Sequence, residues 1–128
     1  MRLLLDTHFV IWVSVDPLKV PKKAVELLEA PQADLWFSVA SLWEIAIKTG
    51  LGRAGFQVDV QELRRSLLDN GYRELNITSD HAIAVADLPH IHGDPFDRLL
   101  VVQAAIEGLE LLTADRTIAR YPGPIRLV

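Results

Sequence analysis

Five carboxylates stand where chemistry on a phosphate ester becomes possible. Asp6 closes the apolar run Arg2–Leu5, and Glu44 lies one helical turn beyond the aromatic segment 34–39. Asp94 and Asp97 flank Pro95-Phe96, and Asp115 follows the apolar run 109–113. Each acid also has a purely structural explanation. Asp6 and Asp115 suit helix N-caps, accepting backbone N–H bonds worth about 1 kcal/mol each. Ser41-Leu-Trp-Glu44 has the form of a capping box, and Asp94-Pro95 that of an N-cap followed by an N1 proline. Asp97 would then sit favourably at the positive end of a helix dipole. Singly, the caps suffice. Together, four or five carboxylates in one crevice repel each other and raise some pKa values unless a cation screens them. A hard divalent ion such as Mg²⁺ takes oxygen ligands, holds one or two carboxylates directly and keeps open positions for substrate phosphate. Such a centre activates a water and stabilises the leaving oxygen of a phosphodiester.

The elements that must position these acids follow from the hydrophobic pattern. Arg2–Leu5 reads as a buried strand and Asp6-Thr7 as a helix start, with the apolar stretch 8–15 stopping at Asp16-Pro17. Helices are expected over 21–30, 41–51, 60–70, 79–88 and 96–106, with a shorter one over 115–120. Strands are expected over 34–39, 74–77, 109–113 and 125–128. Strands and helices alternate without a hairpin signal, which predicts one α/β domain over 1–128 with a mostly parallel sheet between helical layers. Ligands of such sheets collect beyond the carboxyl ends of the strands. Counting along the elements places Asp6, Glu44 and Asp115 at that edge. Asp94 and Asp97 join them if their helix points its N-terminus at the same crevice.

Composition narrows the chemistry. The 128 residues are half apolar, and 13 basic against 17 acidic side chains give a formal net charge of −4. A chain this long buries roughly two-thirds of its unfolded surface. No apolar run reaches the ~18 residues that cross a bilayer, and an acid at position 6 comes too early for a signal peptide. With no cysteine, there is no disulfide, thiolate zinc site, iron–sulfur cluster or thiol nucleophile, and a reducing cytoplasm suits the chain. Negative charge is awkward for a protein that grips polyanions. Bound cations would remove that objection by carrying the positive field to the substrate.

The acids fall within four motifs: Leu-Leu-Leu-Asp6-Thr7-His8, Ser38-x-x-Ser41-x-Trp43-Glu44-Ile-Ala-Ile-Lys48, His92-x-Asp94-Pro-Phe-Asp97-Arg98-Leu-Leu and Leu-Leu-Thr113-x-Asp115. In this order the chain resembles the PIN-domain family, specifically the VapC-type toxin ribonucleases of toxin–antitoxin pairs. The resemblance spans residues 3 to 115, with no departure at an acidic position. It implies a three-layer α/β/α fold around a mostly parallel sheet of four or five strands. It further implies endoribonuclease action on RNA with Mg²⁺ or Mn²⁺, a homodimer, and a VapB-like antitoxin partner. Asp6, Glu44, Asp97 and Asp115 become the catalytic metal-binding acids, with Asp94 a fifth contributor and Glu44 the choice of general base.

Other residues have competing readings. Thr7, Ser41 and Thr113 suit hydrogen bonds to the acids or helix caps better than a nucleophile's role, since none lies in a Gly-x-Ser-x-Gly elbow. Lys48, Arg53, Arg98, Arg116 and Arg120 are candidate phosphate contacts, against the alternative of solvated surface charges. Trp12, Trp36 and Trp43 suit packing before base stacking. His90-x-His92-x-Asp94 lacks the fourth ligand that zinc usually takes, so these histidines are expected to position the helix start at Asp94-Pro95. A receiver-like Mg²⁺-binding signalling domain would need paired acids after the first strand and a late lysine, yet no lysine follows position 48. A PIN-like scaffold that binds RNA or a partner without cutting is the remaining alternative.

Overall fold

The computed structural model describes residues 1–52 and 57–128. In chain order its elements are β1 (Arg2–Leu5), α1 (Thr7–Val15), α2 (Lys22–Leu28), β2 (Asp34–Ser38), α3 (Val39–Gly50) and α4 (Val60–Asp69). There follow β3 (Arg73–Leu75), α5 (Ser79–Ala84), α6 (Pro95–Glu107), β4 (Glu110–Thr113) and β5 (Ile125–Leu127). The five strands form one sheet in the order β3-β2-β1-β4-β5, and every pairing is parallel. This is the three-layer α/β/α architecture.

The strand period of two separates the two sides of the core. Leu4 and Leu111, paired in register, face a cluster built largely from α6: Leu99, Leu100, Val101 and Ala104. Their successors Leu5 and Leu112 face the other side, where Phe9 and Val10 of α1, Ile45 of α3, and Leu63 and Leu67 of α4 pack. Leu3, Leu4 and Leu5 are fully buried, and burial of a leucine is worth roughly 1.5–3 kcal/mol. A continuous leucine run therefore marks a central strand covered on both faces, not an alternating edge strand.

Chain direction reverses laterally at β1: β2 lies on one side of it and β4 on the other. The carboxyl ends of β1 and β4 thus flank a topological switch point, the place where open α/β sheets form their crevices.

Several boundaries differ from expectation for local reasons. α3 begins at Val39, directly after β2, and its N-cap is Ser38, whose Oγ accepts from the Ala40 N–H at 3.0 Å. The capping box expected at Ser41 and Glu44 does not form. Ser41 instead lies inside the first turn, buried. Pro21 is the N-cap residue of α2 and not its first helical residue. The helix expected over 79–88 ends at Ala84 and tightens into a 3-10 turn, Val85–Asp87. The segment after β4 forms only a 3-10 turn at Ile118–Arg120. Among the described residues, no helix is long and apolar enough to cross a membrane.

Candidate active site

Asp6 leaves β1 and caps α1, so its local role is the one its sequence position suggested. Its Oδ1 accepts from the Phe9 N–H at 2.9 Å. Its Oδ2 accepts from Thr113 Oγ1 at 2.6 Å, across the switch point. Asp6 is only 1 % exposed. Burial drives its pKa up, against the Thr113 and Phe9 hydrogen bonds and the nearby His8, which lower it. Thr113 Oγ1 also accepts from the Asp115 N–H at 3.0 Å, and Asp115 Oδ1 caps the Thr117 N–H at 2.8 Å. One hydroxyl thereby ties together the ends of β1 and β4.

The third side comes from α3. Ser41 and Thr7 share a buried hydrogen bond of 2.9 Å, which locks the start of α1 to the first turn of α3. One turn on from Ser41, Glu44 is buried, with Oε2 held by Lys48 Nζ at 2.7 Å. Its other oxygen, Oε1, is buried and has no hydrogen-bond partner. An unpaired carboxylate oxygen away from water costs free energy, so it marks a place for a cation or a donor.

The fourth side is the N-terminus of α6. Asp94 Oδ1 accepts from the N–H groups of Phe96 and Asp97 at 2.9 and 3.2 Å, as an N-cap should. Asp97 points back at the other acids. Burial comes first among the causes that push its pKa up to about 8, followed by the charges of Asp94, Glu44, Asp6 and Asp115. The five carboxylates thus share one electrostatic field. A concavity of about 220 Å³ lies beside them, lined by Asp6, His8, Trp12, Ala114 and Asp115. A larger cavity of about 330 Å³ between α1, α2 and α4 contains none of the five.

A PIN-domain family model matches residues 3–124. Ribonuclease VapC22 of Mycobacterium tuberculosis is 30% identical over 125 residues, which cover 95% of either chain. The chain belongs to the PIN-domain family. Solved structures agree in fold. VapBC2 from Rickettsia felis, bound to a DNA fragment from its promoter, matches with a TM-score of 0.73 at 15% identity, covering 99% of this chain and 98% of that one. DNA-bound VapBC from Salmonella typhimurium gives 0.63 at 18% identity, covering 98% and 97%.

The carboxylates offer an all-oxygen donor set with one buried orphan oxygen, the kind of set that a hard divalent ion takes. No three acids or histidines among the described residues form a ready-made cage.

The basic residues behave differently from expectation. Arg98 does not reach the crevice. It is 7 % exposed, and its guanidinium donates to the carbonyls of Pro89 and Val85 at 2.8 and 3.2 Å and to the Tyr121 hydroxyl at 3.1 Å. Both terminal nitrogens are engaged in tying the 85–89 segment and Tyr121 to α6, which holds the guanidinium away from the crevice. Lys48 is engaged with Glu44 and offsets part of the acidic charge. Arg116 and Arg120 are exposed beyond β4, and Arg53 lies outside the described residues. Trp36, in the middle of β2, lies beneath the Arg73 guanidinium at 4.4 Å and pairs in register with this first residue of β3.

Three ring-bearing residues carried no site role in the sequence, where Trp12 was expected to pack before stacking on a base. His8 and Trp12 line the concavity with ring centroids 5.9 Å apart, one helical turn from each other. Their i, i+4 spacing directly after Asp6 was the signal available. Tyr121 had none, since it reaches the site only through the fold.

Proposed function

We propose that this PIN domain is a divalent-metal-dependent endoribonuclease acting as the toxin of a toxin–antitoxin pair. The observation that carries the reading is the buried, unpartnered Oε1 of Glu44 beside Asp97, whose carboxyl is pushed up by burial and by the charges of Asp94, Glu44, Asp6 and Asp115. Fold-stabilising caps do not require like charges to face each other. A site for a positive ion does.

Asp6, Glu44, Asp97 and Asp115 would hold one or two Mg²⁺ or Mn²⁺ ions, with Asp94 adding negative field from the start of α6. When bound, the metal supplies an activated water and charge stabilisation for the scissile phosphate. The chain's own groups do the rest. Thr113 fixes one oxygen of Asp6 and leaves its remaining lone pairs free for ligation. Thr7 and Ser41 hold α3 so that Glu44 faces the crevice, where its unpaired Oε1 is the best-placed base for a proton leaving water. Lys48, held on Glu44 Oε2, would balance part of the acidic charge of the site. Arg116 is the exposed cation nearest in sequence to the acids and serves as a phosphate contact. His8 and Trp12 offer flat surfaces beside the acids for an unpaired base.

The relatives support the partner. The Rickettsia and Salmonella neighbours are VapBC proteins, and a VapB-like antitoxin with homodimerisation and a cytoplasmic setting is the corresponding reading here. An apolar stripe on α3 remains exposed for such contacts: Trp43, Ile47 and Leu51 are 55, 41 and 64 % exposed.

The deciding experiment incubates the purified protein with mixed cellular RNA and Mg²⁺ or Mn²⁺, with and without EDTA, and maps new ends. Discrete cuts that vanish with EDTA and with Asp6→Asn are expected. Binding of RNA without new ends in either metal would favour the non-cleaving scaffold.

A further inference from the structure

We infer that His92, held by Tyr121, is a positioning residue for the metal-binding carboxylate of Asp97, an inference that rests on the proposed nuclease site. The Tyr121 hydroxyl is the hub. It accepts from Arg98 Nη1 at 3.1 Å and from the His92 backbone N–H at 3.2 Å. Those two bonds fill its acceptor positions. Its own proton then goes to the nearest remaining acceptor, His92 Nδ1, at 2.8 Å, in preference to the His92 carbonyl at 3.2 Å. With Nδ1 accepting, the neutral ring carries its hydrogen on Nε2. This tautomer is assigned from the hydrogen-bond network.

Asp97 Oδ2 lies 3.4 Å from Nε2, which is buried and makes no hydrogen bond. A buried N–H aimed at a single carboxylate oxygen can hold that oxygen in place and leave Oδ1 for the ion. A small turn of either side chain brings the pair within hydrogen-bond geometry, as catalytic contacts do when they tighten around a bound substrate. The anchor itself is rigid. Tyr121 is 4 % exposed, its ring lies 5.3 Å from the His92 ring, and Arg98 is fixed by backbone carbonyls. Arg98 therefore serves the site at one remove: its cation polarises the tyrosine hydroxyl, which orients the histidine, which orients the acid. Partners of metal ligands of this kind are typically worth 10–100-fold in metal affinity.

The test is direct Mn²⁺ binding to the full chain, read from loss of the free-ion paramagnetic resonance signal, with no RNA present. His92→Ala should weaken binding about tenfold, and Tyr121→Phe severalfold. His92→Gln places an amide N–H near the position of Nε2 and should recover most of the loss. A merely structural histidine would not be rescued in this way. Thermal unfolding in EDTA checks that each variant is folded; if Tyr121→Phe is not, the two His92 variants decide. Equal Mn²⁺ affinity in His92→Ala and the parent, with Asp97→Asn clearly weakened, overturns the positioning role and leaves the metal site standing. Parent protein that binds no Mn²⁺, or binds it as well after Asp97→Asn, overturns both.

Discussion

Asp34 and Asp97 are the same residue type at opposite ends of one sheet, and their carboxyls are shifted in opposite directions. Asp34 opens β2 at the amino edge, opposite Arg2 in register. There burial is outweighed by Trp36, Arg2 and Arg73, which bring its pKa below the ordinary value. Arg2 and Arg73 lie 3.4 and 3.5 Å from its oxygens, and Arg2 also donates to the Glu107 carbonyl at the end of α6 at 3.0 Å. Charges at the amino edge are paired. At the carboxyl edge, Asp97 meets four acids, and the basic group beside it is the imidazole of His92. One edge is arranged for stability, the other holds an electrostatic deficit that a cation would remove.

The largest effect that would sharpen this contrast is on catalysis. Asp97→Asn should lower metal-dependent RNA cleavage by more than about a hundredfold, because an amide is a poor ligand for a hard cation. Asp34→Asn should leave the rate within about twofold. Single-turnover cleavage measures both, with circular dichroism confirming the fold. Comparable losses from the two substitutions would break the division between edges.

Metal should also stabilise one edge selectively. An ion that binds only the folded chain adds RT ln(1 + [L]/Kd), about 2.7 kcal/mol at a hundredfold excess over Kd. For a domain of this size that is a rise of roughly 10 °C in Tm. Asp97→Asn should blunt the rise, and Asp34→Asn should leave it intact. Calorimetry at matched ionic strength, with Mg²⁺ and Mn²⁺ in parallel, tests this.

The pH dependence has opposite signs at the two edges. Asp97 titrates at about 8 in the folded chain, above its unfolded value, so the native state binds the proton more tightly. Its stabilising contribution is complete below the unfolded pKa and is lost as pH rises through about 8. Metal-free protein should therefore lose several degrees of Tm between pH 5 and 9, and Asp97→Asn should flatten that fall. For Asp34 the folded pKa is lowered. Its contribution is present above the unfolded value and is lost as pH falls through the lowered one. Asp34 is partly exposed, so this acid-side effect stays within about 1 kcal/mol.

The last contrast sets the hydroxyl that joins the strands against an ion pair at the amino edge, where the smallest change is expected. Thr113→Val keeps the shape but removes the donor to Asp6 and the acceptor for the Asp115 N–H. A cost of about 1–2 kcal/mol in urea unfolding follows, since the Asp115 N–H loses its partner. By contrast, Arg73→Gln at the amino edge should cost at most about 1 kcal/mol.

The parts legible in the sequence were those set by residues close together in the chain. The leucine run at 3–5 and the branched and aromatic segments marked strands because the covering of both faces leaves no polar alternation. Asp6 and Asp94 were readable as caps because a cap contacts an N–H only two or three residues away. Asp97 feels the charges of Asp94, Glu44, Asp6 and Asp115, which places these acids in one neighbourhood. Their neighbourhood follows from parallel topology, which sends every strand end to the same edge.

Tertiary structure decided everything that depends on which way a side chain turns. The cap expected at Ser41 is made by Ser38, whose hydroxyl accepts from the Ala40 N–H and donates to Gln103 Oε1 at 2.6 Å, on a helix far along the chain. Moving the helix start to Val39 turned Ser41 inward onto Thr7 and set Glu44 toward the acids. Arg98 follows Asp97 directly, yet adjacent helix residues project about 100° apart, so one faces the crevice and the other the carbonyls of Pro89 and Val85. Thr113 meets Asp6 across 107 residues, and Tyr121 meets His92 across 29. Local sequence specifies backbone state and caps through short-range sterics and hydrogen bonds. Contacts at such separations exist only after the sheet order has closed the loops between them, and no periodicity or spacing along the chain encodes that order.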